Sequence, residues 1–164
     1  VIGDAFNGEA ATVKGLELLI SGDLFSNASI SFPASLTYTY IDSQFDTDIA
    51  NTDFFGSVSA GDPIPYIPEN QMNLSIGAQN GEWSIYATVN YVDAVCVRAS
   101  CGIFEKTDSS TTLDLAGHYK INDTTSVSFK LENATDSEDI LGRQPYGARP
   151  NKSQTMSIGF RIKL

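Results

Sequence analysis

Long apolar runs are missing from this 164-residue chain. None approaches the roughly 18 residues of a membrane-spanning helix, so a helical membrane protein is excluded. A spanning β-strand is not excluded, because it needs only about 9–11 alternating residues, and a mean hydropathy of -0.11 is compatible with it. Composition therefore leaves a soluble β protein and an outer-membrane β protein both open. Cations are scarce: 10 Lys and Arg face 20 Asp and Glu, for a net charge of -10 and a pI near 4.3. Phosphate binding needs clustered Lys and Arg, so nucleic acid is not expected as a partner.

Histidine and cysteine are nearly absent too. His118 is the single histidine and alternates onto a polar face beside Ser and Thr. No Gly-x-Ser-x-Gly turn or His/Asp pairing accompanies it, so no enzyme is expected. The 2 cysteines, Cys96 and Cys101, sit in a loop containing Ser and Arg with no histidine nearby. A zinc site there lacks ligands, which leaves a small disulfide-closed loop and an oxidising compartment. Acids crowd two stretches, Asp42, Asp46, Asp48, Asp53 and Asp62 in one, Asp136, Glu138 and Asp139 in the other. Both read as solvated loops, without the spaced Asp/Asn/Gly pattern of a calcium site, and neither a metal nor a cofactor is expected. No secretory leader precedes Val1, so the chain reads as mature, truncated or a piece.

What is present is alternation with a period of two. Seven segments carry it: Ala10–Ser21, Phe32–Asp42, Gln71–Gln79, Glu82–Tyr91, Thr111–Tyr119, Ser126–Asn133 and Ser153–Leu164. In the last of these Met156, Ile158, Phe160, Ile162 and Leu164 share one face, and Ser157, Gly159, Arg161 and Lys163 the other. Leu36, Leu74, Val89, Leu115 and Phe129 continue the apolar set, while Glu17, Asp114, Lys130 and Glu132 join the polar one. The helical period is nowhere sustained. A half-buried sheet in a soluble sandwich would alternate in the same way, so the connections have to discriminate.

Short and long connections take turns. Asn80-Gly81 signals a two-residue type I′ hairpin and Lys120–Thr125 a short turn, whereas Ser43–Asn70, Val92–Ser110 and Ala134–Lys152 are long. In an up-and-down sheet that puts every long loop at one end, the layout of outer-membrane barrels. Gly22–Ser31 departs from the pattern as a rather long turn. Trp83 and Tyr119 fall near the short-turn end of their strands, and Tyr38, Tyr40 and Tyr91 near the long-loop end, as two partial aromatic girdles at membrane interfaces would. Seven is an odd number of strands, and an open sheet leaves two unpaired edges in lipid. The chain is therefore expected to be part of a larger barrel.

Three motifs, in order along the chain, resemble the TonB-dependent outer-membrane receptors. The first is Gly8-Glu9 with Val13-Lys14-Gly15-Leu16-Glu17, and the second is Ile64-Pro65-Tyr66-Ile67-Pro68-Glu69-Asn70-Gln71 leading into Met72-Asn73-Leu74. The third runs from Leu131-Glu132-Asn133-Ala134-Thr135-Asp136 through Pro145-Tyr146-Gly147-Ala148-Arg149-Pro150 to the closing strand. The resemblance implies an all-β fold, an antiparallel up-and-down transmembrane β-barrel segment supplying about seven strands of a larger, twenty-two-stranded barrel. Residues 1–164 would be the C-terminal part of the barrel domain, with the N-terminal plug domain and remaining strands absent from this chain.

It also implies an outer-membrane location, lipid and lipopolysaccharide contacts, and an energy transducer of the TonB type acting through the plug. The implied ligand is scarce, a ferric siderophore or ferric citrate. Such ligands are often anionic, and an acidic protein repels them at long range, so local cations must capture them. Arg98, Lys106, Arg143 and Arg149 lie in the expected outer loops, and Arg suits bidentate contact with carboxylates. Pairing with neighbouring acids or lipopolysaccharide phosphates is the competing role of each, and Arg149 is expected to set loop shape. The family usually ends in Phe, which barrel assembly reads; here Phe160 lies in the closing strand and the last residue is Leu164.

Two rivals stand beside this reading, a soluble β-sandwich for binding or adhesion and a passive porin or translocator. Five Asn-x-Ser/Thr sequons, at Asn27, Asn73, Asn122, Asn133 and Asn151, would suit a secreted glycoprotein. Asn73 and Asn133 fall in expected strands, where a glycan is awkward.

Overall fold

In the computed structural model the described residues are 10–26, 29–52, 56–144 and 147–163. Gly8, Glu9, Asn27, Asp53, Pro145, Tyr146 and Leu164 lie outside them. The described residues form strands and no helix. They are β1 (Ala11–Ser26), β2 (Ser31–Phe45), β3 (Ile49–Thr52), β4 (Gly56–Val58), β5 (Asn70–Gln79) and β6 (Trp83–Val92). β7 (Ser110–Lys120), β8 (Thr125–Glu132), β9 (Ile140–Gly142), β10 (Arg149–Pro150) and β11 (Thr155–Ile162) follow.

Seven of these make one antiparallel sheet in the order β1-β2-β5-β6-β7-β8-β11, each long strand beside its successor. The other four form two small hairpins, β3 with β4 and β9 with β10, inside the long connections. At about 3.3 Å per residue and a tilt near 45°, a ten-residue strand rises about 23 Å, close to the apolar band of an outer membrane. β5 and β6 have 10 residues each.

The ladder register carries the alternation across all seven strands, because residues directly opposite one another share a face. One row runs Ile20, Leu36, Leu74, Val89, Leu113; another runs Ala87, Leu115, Leu131, Met156. The opposite face is polar and bonded to itself. Asn73 donates to Asn90 at 2.5 Å, Thr88 to Ser75 at 3.1 Å, and Asn90 reaches Asp114 at 3.4 Å. Where Tyr86 crosses this face it lies over Gly77, directly opposite in the ladder. A Cβ on Gly77 would come within 2.5 Å of the ring, and the Tyr86 hydroxyl donates to Gln79 at 2.6 Å.

Nothing covers the apolar face. Leu16, Ile85 and Phe160 are 62%, 58% and 75% exposed, and among the described residues no large side chain is fully buried. The chain exposes 10765 Å²; a water-soluble monomer of 17.7 kDa would expose about 8,000 Å² by mass scaling. All seven long strands belong to one sheet, and among the described residues no second sheet faces it, so the β-sandwich reading fails.

Three local expectations change. The connection expected at Gly22–Ser31 shrinks to residues 27–30, because β1 and β2 both run on into it past a register shift after Asp23. Asp42, expected both as the end of the strand Phe32–Asp42 and as part of an acidic loop stretch, belongs to β2, opposite Lys14. The Asn80-Gly81 hairpin is not type I′: the turn spans residues 80–82, and neither residue has positive φ. The Asn80 side chain accepts from the backbone N–H of Glu82 at 2.8 Å and of Trp83 at 2.9 Å. That Asx-type turn satisfies the backbone without a left-handed residue.

Candidate functional site

All three long connections gather at one end of the sheet. The buried apolar residues gather there too: Phe45 at the end of β2, Val58 in β4 and Ala99 in the 93–109 loop form a cluster with Ile49 and Ile64 against it. Val95 and Val97 are also buried. Among the described residues the buried apolar cluster thus lies between loops, where the hydrophobic effect acts within the protein.

The 93–109 loop is braced from within. Cys96 and Cys101 are joined by a disulfide, with Cα atoms 5.1 Å apart. The Val97 N–H donates to Glu105 O at 2.7 Å, and the Glu105 carboxylate accepts from Ser100 Oγ at 3.0 Å and pairs with Arg98 Nε at 3.5 Å. Arg98 is therefore a brace of its own loop.

Tyr66 ties the three loops together. It sits between Pro65 and Pro68 at φ 63, a left-handed conformation costly for an aromatic residue. Its N–H donates to Cys96 O at 2.9 Å, and its hydroxyl accepts from the Gln144 N–H at 3.1 Å. The second and third loops also bond directly. Asp108 N–H donates to Ile140 O at 2.9 Å, Ile140 N–H to Asp108 Oδ2 at 2.8 Å, and Ser110 Oγ to Asp139 Oδ2 at 2.8 Å.

The base of the third loop is built on Asn133, a buried side chain at φ 49. Its Nδ2 donates to Ser137 O at 2.9 Å and Lys152 O at 3.0 Å, and its Oδ1 accepts from Ser137 N–H at 3.1 Å. Asp136, also left-handed at φ 51, accepts from Gln154 N–H at 3.1 Å. The Asn-Ala-Thr-Asp motif is thus a clasp that closes the loop on itself, and a glycan on Asn133 has no room.

The other three cations differ in what they hold. Arg149 donates from Nη2 to Gln144 O at 2.5 Å and lies over Gly142, where a Cβ would meet the guanidinium at 3.0 Å. Arg143 donates from Nε to Lys106 O at 2.6 Å, which leaves its terminal nitrogens uncommitted to that bond and brings it beside the exposed Lys106.

Asp93 anchors the strand end beneath. It accepts from Tyr91 OH and, on Oδ2, from Asn70 Nδ2 at 2.6 Å and Asn70 N–H at 3.0 Å. The Tyr91 bond first, then the Asn70 bonds and the charge of Lys106, hold its carboxyl below the usual carboxylate range against the opposing pull of partial burial.

Below these contacts lies a cavity of about 300 Å³ lined by Tyr66, Val92, Asp93, Thr107, Ser110, Thr112 and Asn151 among others. Val92 opposes Ser110 and Asn90 opposes Thr112, so the cavity opens on the polar face of the sheet. Pro68, Val92, Val95 and Leu141 give it a largely apolar wall, and Asp93, Thr107, Asp108 and Ser110 are already bonded within the loops. His118 is remote from it, opposite Ser84 and Ser128 toward the short turns. Among the described residues no group of three or more His, Cys, Asp and Glu could hold a metal ion.

The aromatic residues fall at the two ends as their spacing predicts. Trp83, Tyr119, Val127 and Phe160 form one cross-strand row near the short turns. Tyr38, Met72 and Tyr91 form another near the loops, with Tyr40 opposite Asn70. Tyr38 donates to Asn70 Oδ1 at 2.6 Å. Asp93 and Asp108 carry no signal in the sequence, Asp139 reads there as one of several solvated loop acids rather than as the partner of Ser110, and the flanking prolines of Tyr66 are the local sign of its role.

No individually characterised protein sequence matches the chain. Among solved structures, the siderophore receptor PiuA of Acinetobacter baumannii superposes with a TM-score of 0.74 at 16% identity, over 93% of this chain and 22% of that one. The ferric yersiniabactin uptake receptor FyuA of Yersinia pestis gives 0.66 at 15% identity, over 93% and 24%. The copper transporter OprC gives 0.64 at 18%, over 93% and 24%. The chain thus spans under a quarter of the length of each of these receptors. A family profile described as TonB dependent receptor-like, beta-barrel, matches residues 3–134, most of the chain. With the seven-stranded meander, its bare apolar face and its gathered loops, that match settles the family: the chain belongs to the TonB-dependent receptor-like β-barrels.

Proposed function

We propose that this chain is the C-terminal part of the barrel wall, about seven strands of twenty-two, of a TonB-dependent receptor in a Gram-negative outer membrane. The whole receptor binds a scarce ligand outside, holds its lumen closed with a plug, and releases the ligand inward when an inner-membrane transducer acts on the plug. A ferric siderophore is the ligand class that the PiuA and FyuA likenesses support, with ferric citrate the narrower reading. The observation that carries the proposal is the bare apolar face on a meander of the family's barrel type: such a face needs a cover, and in a barrel wall lipid provides it.

Arg143 and Lys106 are the cations we assign to ligand capture. Arg98 and Arg149 are engaged in shaping their own loops. Arg143 keeps its terminal nitrogens clear of its bond to Lys106 O and suits a carboxylate of an anionic chelate. Lipopolysaccharide phosphates are the other anions within reach of this end.

Detergent extraction of native membranes, followed by purification through this polypeptide and mass spectrometry, tests the reading. Recovery only in detergent, as part of a polypeptide with a plug-like domain, and binding of iron chelates support it. Recovery from the aqueous phase as a lone 17.7 kDa monomer overturns it. Within a receptor that passes, Arg143→Ala weakens binding of an anionic ferric chelate about tenfold, the scale of one charged hydrogen bond.

A further inference from the structure

Around Gly117 the apolar face is grooved rather than smooth. β7 lies between β6 and β8, and its Gly117 stands directly opposite Ile85 on one side and Phe129 on the other. One row nearer the short turns, Tyr119 stands opposite Trp83 and Val127. β6 and β8 are two strand spacings apart, about 9.6 Å. Their large side chains wall a groove of about 300 Å³ whose floor is Gly117. The intervening row, Ser84, His118 and Ser128, belongs to the polar face.

The backbone does not require this glycine. Inside a strand a glycine costs stability and marks a bulge, a bend or the close approach of a ligand. The ladders on both sides of Gly117 run without a register shift, and its φ is not positive, which excludes a bulge and a left-handed turn. Nor does a ring fill the missing side chain's place as at Gly77, where a Cβ would lie 2.5 Å from two atoms of Tyr86. A Cβ on Gly117 would meet one Phe129 ring carbon at 3.3 Å, and the groove lies beside it. β5, β7 and β11 hold one glycine each. Gly77 and Gly159 lie on the polar face, and Gly117 on the apolar one.

Whatever approaches Gly117 comes from the side that lipid covers in a barrel wall, and the walls on β6 and β8 leave room for one narrow chain lying along β7. An unfilled groove forfeits dispersion contacts on all its walls, and a hydrocarbon chain restores them. Trp83 and Tyr119 stand at the short-turn end of the groove, and such residues sit at headgroup level with an apolar body in the membrane and a polar tip in water. We infer that the groove over Gly117 seats one acyl chain of a glycerophospholipid from the inner leaflet of the outer membrane, the leaflet at the short-turn end, with Trp83 and Tyr119 level with its headgroup. The inference rests on the receptor reading above.

Photolabelling of the intact receptor in detergent, read by mass spectrometry, tests the site. The probe is phosphatidylethanolamine with a diazirine in one acyl chain, dilute in the micelles. The expected label falls on Ile85, Gly117 or Phe129 and saturates as probe is added. Gly117→Leu, whose side chain occupies the groove, is expected to lower it about fivefold, with the barrel still resistant to heat in detergent. Gly117→Ala, which only raises the floor, is expected to lower it about twofold, and decides the matter if the leucine variant does not assemble. Label spread evenly over the apolar rows, to Leu36 and Met156 as much as to the groove, or unchanged in the assembled variants, refutes the site and leaves the receptor reading intact. A diazirine fatty acid that labels the groove as well as the phospholipid does refutes the phospholipid as occupant, and a groove that takes no label refutes lipid there. Recovery of the chain as an aqueous monomer refutes both readings.

Discussion

The middle of the sheet and its long-loop end hold together by opposite means. Between the strands, backbone ladders and a polar face of Asn, Ser and Thr carry the structure, and the apolar side chains stand in cross-strand rows that face outward, toward whatever surrounds the protein. In the loops, Phe45, Val58 and Ala99 are buried against each other, a disulfide closes one loop, and Tyr66 bonds to two others. The strands thus depend for stability on whatever covers their apolar face, and the loops on contacts with one another.

Charge on the two faces of one strand gives the largest test of that contrast. Leu74→Arg, mid-sheet on the apolar face, is expected to lower folding stability in lipid bilayers by about 2–4 kcal/mol, while Ser75→Arg on the polar face changes it by far less. Comparable losses in urea titrations of the two variants would break the comparison.

In the loop region, Asn133→Ala leaves the Ser137 and Lys152 carbonyls without their donor, at a cost of about 2 kcal/mol. The expected readout is fast hydrogen exchange across residues 133–152 with strand exchange unchanged. Asn133→Gly, which relieves the left-handed backbone, should recover a small part of the loss.

Cys96→Ser/Cys101→Ser opens a loop so short that the entropic gain is about 2 kcal/mol at most, expressed locally. Limited proteolysis should cut near residues 97–105 in the variant and not in the parent. The unfolding midpoint of the barrel should stay where it is. A matching drop in that midpoint would show that loops and sheet are one cooperative unit.

The smallest effect concerns Asp93, whose folded carboxyl titrates below its unfolded value. Its contribution is present above the unfolded value and is lost as pH falls through the folded one. Protection of the Asn70 amide should therefore hold from neutral pH down through the ordinary carboxylate range and fall only below it, and Asp93→Asn should remove that pH dependence.

How much of this could be read in the chain differs between the same two regions. The seven long strands, their faces and the placement of Trp83 and Tyr91 were legible, because the period-two pattern is local and a one-residue slip would invert every face. The turn at Asn80 was misread because one side chain outweighed the dipeptide rule. Arg98 and Arg143 looked equivalent as cations in loops, and became different only through what surrounds them: a carboxylate within the loop for one, a backbone carbonyl across loops for the other.

Alternation and turn length act between near neighbours along the chain, and they were enough to specify a two-faced, seven-stranded meander with its long connections at one end. Long-range packing brought Tyr66 to Gln144, 78 positions away, and Asn133 to Lys152. Those contacts depend on where strands bring distant loops and turns together, and no local pattern in the residues encodes that distance.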